Sequence, residues 1–270
     1  MAMVAKKLLK RLLLRRAKPY TSVATVATTY FERGNQWYLP ALAGPATFLP
    51  KVARVETIRE VFLVMEQLSP DKYMEFLLNF YREGLERFGD DWAYADINTI
   101  LFGFSKVVAV RDYLEIGVRR GRSMAMVASQ SPKCAIVGFD MWIKDYAGMD
   151  NPGELLVRSE LKKVGHQGSV EFIDGDSRLT VPRFFQSSPD RSFDLITVDG
   201  DHSTEGARCD LLNVIPRIRI GGVLVFDDIS NQSFPQLAGV WQDLVGANPR
   251  FAAHSFNEVG FGVGFAIRKY

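Results

Sequence analysis

After residue 110 the chain settles into a regular alternation. Short apolar runs at 112–117, 135–140, 169–174, 193–199 and 221–227 are separated by amphipathic stretches at 121–130, 153–165, 177–186 and 204–218. Strand-length runs alternating with helix-length stretches predict a mostly parallel sheet with helices on both faces. The end of the chain breaks the rhythm. Residues 251–257 and 261–268 read as two strands joined by a short turn around Gly260, so an antiparallel hairpin closes a seven-stranded sheet. The expected class is α/β, Rossmann-like.

Upstream, 55–68, 70–88 and 93–108 read as helices, the first from the spacing of Ile58, Val61, Phe62 and Met65. Ser69 before Pro70 is a helix-start signal. Pro40, Pro45 and Pro50 punctuate 39–54, which reads as a connector. The expected organisation is a basic segment and connector over 1–54, a helical cap over 55–109, and the α/β domain over 110–270.

Charge is unevenly placed. The net charge is only +2, but seven basic residues and no acid fall within residues 1–18, and the first acid is Glu32. The remainder is therefore net acidic, which argues against a general nucleic-acid surface. Three readings of residues 1–18 stand. They are a solvated basic helix, a membrane-surface contact with Leu8, Leu9, Leu12 and Leu13 on one face, or an organellar transit peptide. The run Leu12 to Leu14 is too short to span a membrane, and Arg15 and Arg16 interrupt it. Cys134 and Cys209 form no metal-type cluster, and two thiols suggest no disulfide framework. A reducing, cytoplasmic location is expected, with a peripheral membrane contact as a variant of it. A homo-oligomer is compatible with the helices before residue 110.

In such folds ligands gather at the carboxyl ends of the strands. The first strand ends in "YLEIGVRRGRS", with Glu115, Gly117 and Gly121. This is not the G-x-G-x-x-G of a dinucleotide site. The second ends in "GFD", where Asp140 is placed to accept hydrogen bonds from a ribose diol. The third ends in "GDS", where Asp176 and Ser177 are placed beside an adenine edge or cap the next helix. The fourth ends in "VDGDH", with Asp199, Asp201 and His202, and the fifth in "FDD", with Asp227 and Asp228.

Taken in order, these motifs resemble the class I S-adenosylmethionine-dependent methyltransferases, over roughly residues 110–270. The resemblance implies that Glu115, Gly117 and Gly121 surround the methionine part of the cofactor. It also implies that Asp140 holds the ribose, while Asp176 and Ser177 flank the adenine. "VDGDH" with "FDD" is similar to the metal-dependent O-methyltransferases acting on catechols, caffeoyl-CoA and macrolide sugars. That likeness implies Asp199, Asp227 and Asp228 as ligands of a divalent ion, Mg²⁺. The catechol and caffeoyl types carry Asn where this chain has Asp228. His202 falls where they keep a lysine base, and imidazole can do that work, with an unperturbed pKa of about 6.5. Asp201 remains open as the functional acid in place of Asp199.

The chemistry calls for such a set. A hydroxyl is a poor nucleophile until its proton leaves, and a hard cation held by carboxylates lowers the pKa of a coordinated hydroxyl. The expected reaction is methyl transfer from S-adenosylmethionine to a hydroxyl of a small molecule or glycan. Sugar hydroxyls come first and a catechol-like phenol second. Residues 141–153 are expected to form a loop beside the cofactor, with Trp142, Tyr146 and Met149 as lid candidates. Two other classes remain open: a hydroxylase-like enzyme on the same scaffold, using iron, oxygen and 2-oxoglutarate, and a cofactor-binding module without turnover.

Overall fold

The computed structural model describes residues 41–145, 148 and 150–270. Residues 1–18, with their proposed membrane contact, and the lid candidates Tyr146 and Met149 lie outside the described residues. Residues 40–270 form one compact unit.

Among the described residues, four α-helices precede the sheet: α1 (Pro45–Val52), α2 (Val55–Met65), α3 (Lys72–Phe88) and α4 (Ile97–Val107). Helix α1 lies where the three prolines suggested only a connector. Pro45 stands at the first helical position, where a missing N–H costs nothing because that group has no intrahelical partner. Helix α3 starts at Asp71, whose Oδ1 accepts from Met74 N at 2.7 Å. Helix α4 starts with a reciprocal cap between Asp96 and Thr99. It is buried along most of its length, and Phe104 meets the sheet residue Phe265 edge-on at 5.0 Å. The helical segment therefore packs directly onto the sheet.

The α/β part runs β1 (Asp112–Ile116), α5 (Arg122–Gln130), β2 (Ala135–Asp140), α6 (Glu154–Lys163), β3 (Val170–Asp174), α7 (Ser177–Ser187), β4 (Phe193–Val198), α8 (Thr204–Val214) and β5 (Ile218–Asp227). It ends with α9 (Gln236–Trp241), β6 (Phe251–Phe256) and β7 (Val263–Arg268). The seven strands lie in the order β3-β2-β1-β4-β5-β7-β6. The first five are parallel, and β7 runs antiparallel to both β5 and β6. The expected seven-stranded sheet with its closing hairpin is present.

Two differences from the sequence reading have local causes. Helix α8 stops at Val214, short of the expected 218, because Pro216 cannot continue the ladder and a single tight turn leads into β5. Strand β5 begins at Ile218 and carries a bulge, where its register with β4 shifts between Phe193 and Leu195. Helix α9, followed by a wide π-type turn over Gln242–Gly246, has no counterpart in the sequence reading.

Alternating side chains of the buried strands build two cores. Tyr113, Leu195, Val223, Val225 and Phe265 face α4, α5 and α6. Leu114, Ile116, Phe139, Ile196, Leu224 and Phe226 face α7, α8 and α9. The chain reverses direction across the sheet between β1 and β4. That switch point leaves a crevice at the carboxyl ends of the strands. Among the described residues no helix is long and apolar enough to cross a membrane.

Candidate functional site

A cavity of about 720 Å³ opens at this switch point. Its floor comes from the ends of β1, β2, β4 and β5, and its wall from α3 and the segment leading to α4.

The turn after β1 is held closely against the end of β4. Gly117 has φ +89°, and a Cβ there would lie 1.9 Å from the carbonyl oxygen of Asp199. Only glycine fits both the conformation and the contact. Gly117 N donates to Phe139 O at 2.9 Å, and Asp199 N donates to Ile116 O at 2.8 Å. Gly121 also has positive φ, but its open side faces Val157 of α6, and it does not line the cavity. Glu115 is fully buried and does not line the cavity either. Its carboxyl accepts from Ser123 Oγ at 2.6 Å and from the Tyr113 hydroxyl. Burial pushes it up to about 8, against the effect of those two hydrogen bonds. Both residues therefore support the turn from behind.

Asp140 lines the cavity at the end of β2, with its carboxylate already engaged. Oδ2 accepts from Val118 N at 2.9 Å and Arg119 N at 2.7 Å. Oδ1 accepts from Trp142 N at 2.6 Å and from Asn151 Nδ2 at 3.3 Å. Asp140 thus ties the β1 turn to the loop after β2. Asp176 and Ser177 also line the cavity. Asp176 caps α7 by accepting from Arg178 N at 2.9 Å, and it pairs with the Arg178 guanidinium at 2.7 Å. Arg178 holds the Asp176 carboxyl below its ordinary range.

At the other end of the cavity the fourth and fifth strands bring acids together. His202 Nε2 lies 3.4 Å from Asp199 Oδ1 and 3.5 Å from Asp228 Oδ2. One ligand atom from each of these three residues falls within 4.8 Å of the other two. His202 thus belongs to the same cluster as the acids. Its backbone carbonyl accepts from Gln236 Nε2 at 2.8 Å, and its ring rests 4.7 Å from that of Phe234. Asp228 sits at φ +62°, an uncommon position for a residue with a side chain. Asp227 lines the cavity but is not among the mutually close ligand atoms.

The two acids of "VDGDH" have different surroundings. Asp201 Oδ1 accepts from Ser203 N at 2.8 Å, next to the cap that Ser203 Oγ makes with Gly206 N at 3.0 Å. Asp201 shapes the start of α8, while Asp199 joins the cluster.

The electrostatics follow from crowding. Asp227 is driven well above the carboxylate range by burial and by the charges of Asp199, Asp228 and Asp96. Burial and the Asp199 charge raise Asp228 to about 6, with His202 and Asn231 opposing them. Burial opposes the His202 imidazolium, but the Asp199 hydrogen bond and the nearby acids outweigh it and raise the pKa. A bound cation would relieve the same repulsion. The Asp199 and Asp228 carboxylates, converging beside an imidazole, fit a hard divalent ion held by oxygen ligands.

The opposite wall is aromatic. Tyr73, Phe76, Phe80, Tyr94 and Phe261 line it. Helical periodicity gave α3, but nothing in the sequence showed which of its faces met the strand ends. In the loop after β2, Trp142 turns toward Phe172, with ring centroids at 5.7 Å, while Met141 and Ile143 line the mouth. Arg122, also in the lining, was not singled out from the sequence.

Residues 114–229 match a family model described as a methyltransferase domain. No curated protein sequence matches the chain at significant similarity. Among solved structures, cofactor-bound Rv0187 from MTB is similar at 20% identity and a TM-score of 0.53, covering 78% of this chain and 95% of that one. The apo structure of CalS11, a TDP-rhamnose 3'-O-methyltransferase of calicheamicin biosynthesis, is similar at 19% identity and a TM-score of 0.50, covering 79% and 93%. The sheet order, the switch-point cavity and these matches agree: residues 114–229 are similar to a methyltransferase domain, and the chain shares the fold of these solved structures.

Proposed function

We propose that this protein transfers the methyl group of S-adenosylmethionine to a hydroxyl of a small-molecule or sugar acceptor, assisted by a divalent cation, Mg²⁺. The observation that carries the reading is the convergence of Asp199, His202 and Asp228 beside the Gly117 turn. The cavity, at about 720 Å³, is of a size that holds a drug-sized ligand or larger.

When bound, the cofactor supplies an electrophilic methyl group, and the cation lowers the pKa of a hydroxyl brought to it. The remaining work falls to the chain. Asp199 and Asp228 would hold the cation, with Asp227 close enough to feel both of their charges. His202 Nε2 takes the acceptor's proton, a role typically worth about 10²–10⁴-fold in rate. Asp140 holds the ribose, where its longest hydrogen bond, from Asn151 at 3.3 Å, is the one most readily exchanged. Asp176 and Ser177 flank the adenine. Gly117 lets the backbone approach the methionine part, while Glu115 and Gly121 keep that turn in shape from behind. The aromatic wall keeps water from the reacting atoms.

One observation favours a second reading. An imidazole within the cluster suits iron better than it suits Mg²⁺, as a hydroxylase-like enzyme on this scaffold would need. Incubation with S-adenosylmethionine, Mg²⁺ and extracted glycans or small molecules separates the two. The proposal expects a product heavier by one methylene. Turnover that needs iron, oxygen and 2-oxoglutarate would support the second reading. Cofactor binding with no product across the panel would leave a binding module.

A further inference from the structure

Arg122, at the first position of α5, lines the cavity. Its guanidinium carbon lies 4.6 Å from the centre of the Tyr73 ring. The residue keeps partial solvent exposure, but Nη1 is closed off from solvent and has no hydrogen-bond partner. Among the described residues, no carboxylate lies within ion-pairing distance of Arg122. Asp71, whose charge acts on Arg122, is already engaged: it lies 3.3 Å from Arg120 and 4.0 Å from Arg119. A buried cationic donor without a partner is unfavourable, and a ligand can supply what the protein does not.

Placement indicates which ligand. Tyr73 belongs to α3, outside the matched domain, and shares the aromatic wall with Phe76 and Phe80. Its hydroxyl is within electrostatic reach of Arg122 and also of Asp227, Asp96 and Asp199. Arg122 therefore packs on a wall residue whose hydroxyl is within reach of the acids that the acceptor hydroxyl would meet. A planar guanidinium held against an aromatic ring is suited to paired hydrogen bonds with carboxylate or phosphate oxygens.

We propose that Arg122 anchors an anionic group, a carboxylate or phosphate, on the acceptor, so that the substrate class is an acidic or phosphorylated small molecule such as a sugar phosphate or uronate. The inference rests on the methyl-transfer reading of the same cavity.

The test is calorimetry on the full chain, with S-adenosylhomocysteine and inorganic phosphate as probes. Phosphate should bind the protein saturated with S-adenosylhomocysteine. Its affinity should fall at least tenfold in Arg122→Gln and be partly retained in Arg122→Lys, whose charge is preserved. Affinity for S-adenosylhomocysteine should stay within twofold in both variants, and far-ultraviolet circular dichroism confirms their folding. Two results would overturn the proposal. One is phosphate binding that is absent, or equal in wild type and Arg122→Gln. The other is competition between phosphate and S-adenosylhomocysteine with loss of both in Arg122→Gln, which would assign the guanidinium to the cofactor's own carboxylate. Failure of wild type to bind S-adenosylhomocysteine would refute the underlying methyl-transfer reading, and phosphate binding to the protein alone would still report on Arg122.

Discussion

Gly117 and Asp199 touch through their backbones, at a distance that leaves no room for a methyl group between them. The contact joins the turn after β1 to the end of β4, and so the proposed cofactor end of the cavity to the proposed metal end. Gly117→Ala would force a side chain into positive φ as well as into a carbonyl oxygen. Strain of that kind costs about 1–3 kcal/mol before the clash is counted. The variant should melt at lower temperature and lose S-adenosylhomocysteine affinity. Unchanged melting and binding would show that the two strand ends are not coupled in this way.

Asp140 is expected to do two things at once. Its carboxylate holds Val118 N and Arg119 N of the β1 turn, so removing it leaves buried donors unpaired, at roughly 1–3 kcal/mol. Asp140→Ala should therefore lower both the melting temperature and cofactor affinity. Asp140→Asn keeps one acceptor oxygen and should recover part of the stability but less of the affinity. A stable Asp140→Ala protein with weakened binding would mean that the ribose contact is its only role.

Much of this arrangement was legible in the sequence, because buried parallel strands announce themselves as apolar runs and end in the residues that face the crevice. Asp199, Asp140 and Asp176 were found that way. Glu115 and Gly121 sit in the same motif but face inward, and one-dimensional spacing does not separate a cavity-lining residue from its support. Asp227 and Asp228 are adjacent, and their different placement depends on the left-handed backbone at Asp228. The aromatic wall was hidden for another reason. Which face of α3 meets the strand ends is decided by packing between segments distant in sequence. Helix α1 was hidden by its prolines, since Pro45 is as compatible with a helix start as with a linker.

Asp210 offers a pH test of stability. It is fully buried on α8, with the Ser177 hydroxyl beside its carboxyl. Burial pushes its pKa up to about 7. An unfolded aspartate titrates near 3.9, so between about pH 4 and 7 the native protein holds a proton that the unfolded chain has released. This group's contribution to stability therefore falls as pH rises through that window, and stays low above it. Asp210→Asn cannot lose the proton. Its stability relative to wild type, from urea melts, should improve from pH 4 to pH 8. A constant difference across that range would show that Asp210 is ionised in the native state throughout.

His202 and the acids have separable roles. Asp199→Asn should weaken Mg²⁺ binding and activity together, with partial rescue by excess Mg²⁺. His202→Ala should retain cofactor affinity but lose roughly 10²-fold or more in rate. Its residual activity should climb with pH as the acceptor ionises unaided. Full turnover by His202→Ala at every pH would remove the imidazole from the proton's path.

The central claim is a cation-assisted methyl transfer at the Asp199–His202–Asp228 cluster. The direct measurement follows an isotopically labelled methyl group from S-adenosylmethionine into a panel of glycan and small-molecule hydroxyls, with Mg²⁺, with a chelator, and with Mg²⁺ restored. The account predicts a labelled ether product that is lost on chelation, returns with Mg²⁺, and is greatly diminished in Asp199→Asn. A labelled product of equal yield in the chelator and in Asp199→Asn would contradict it.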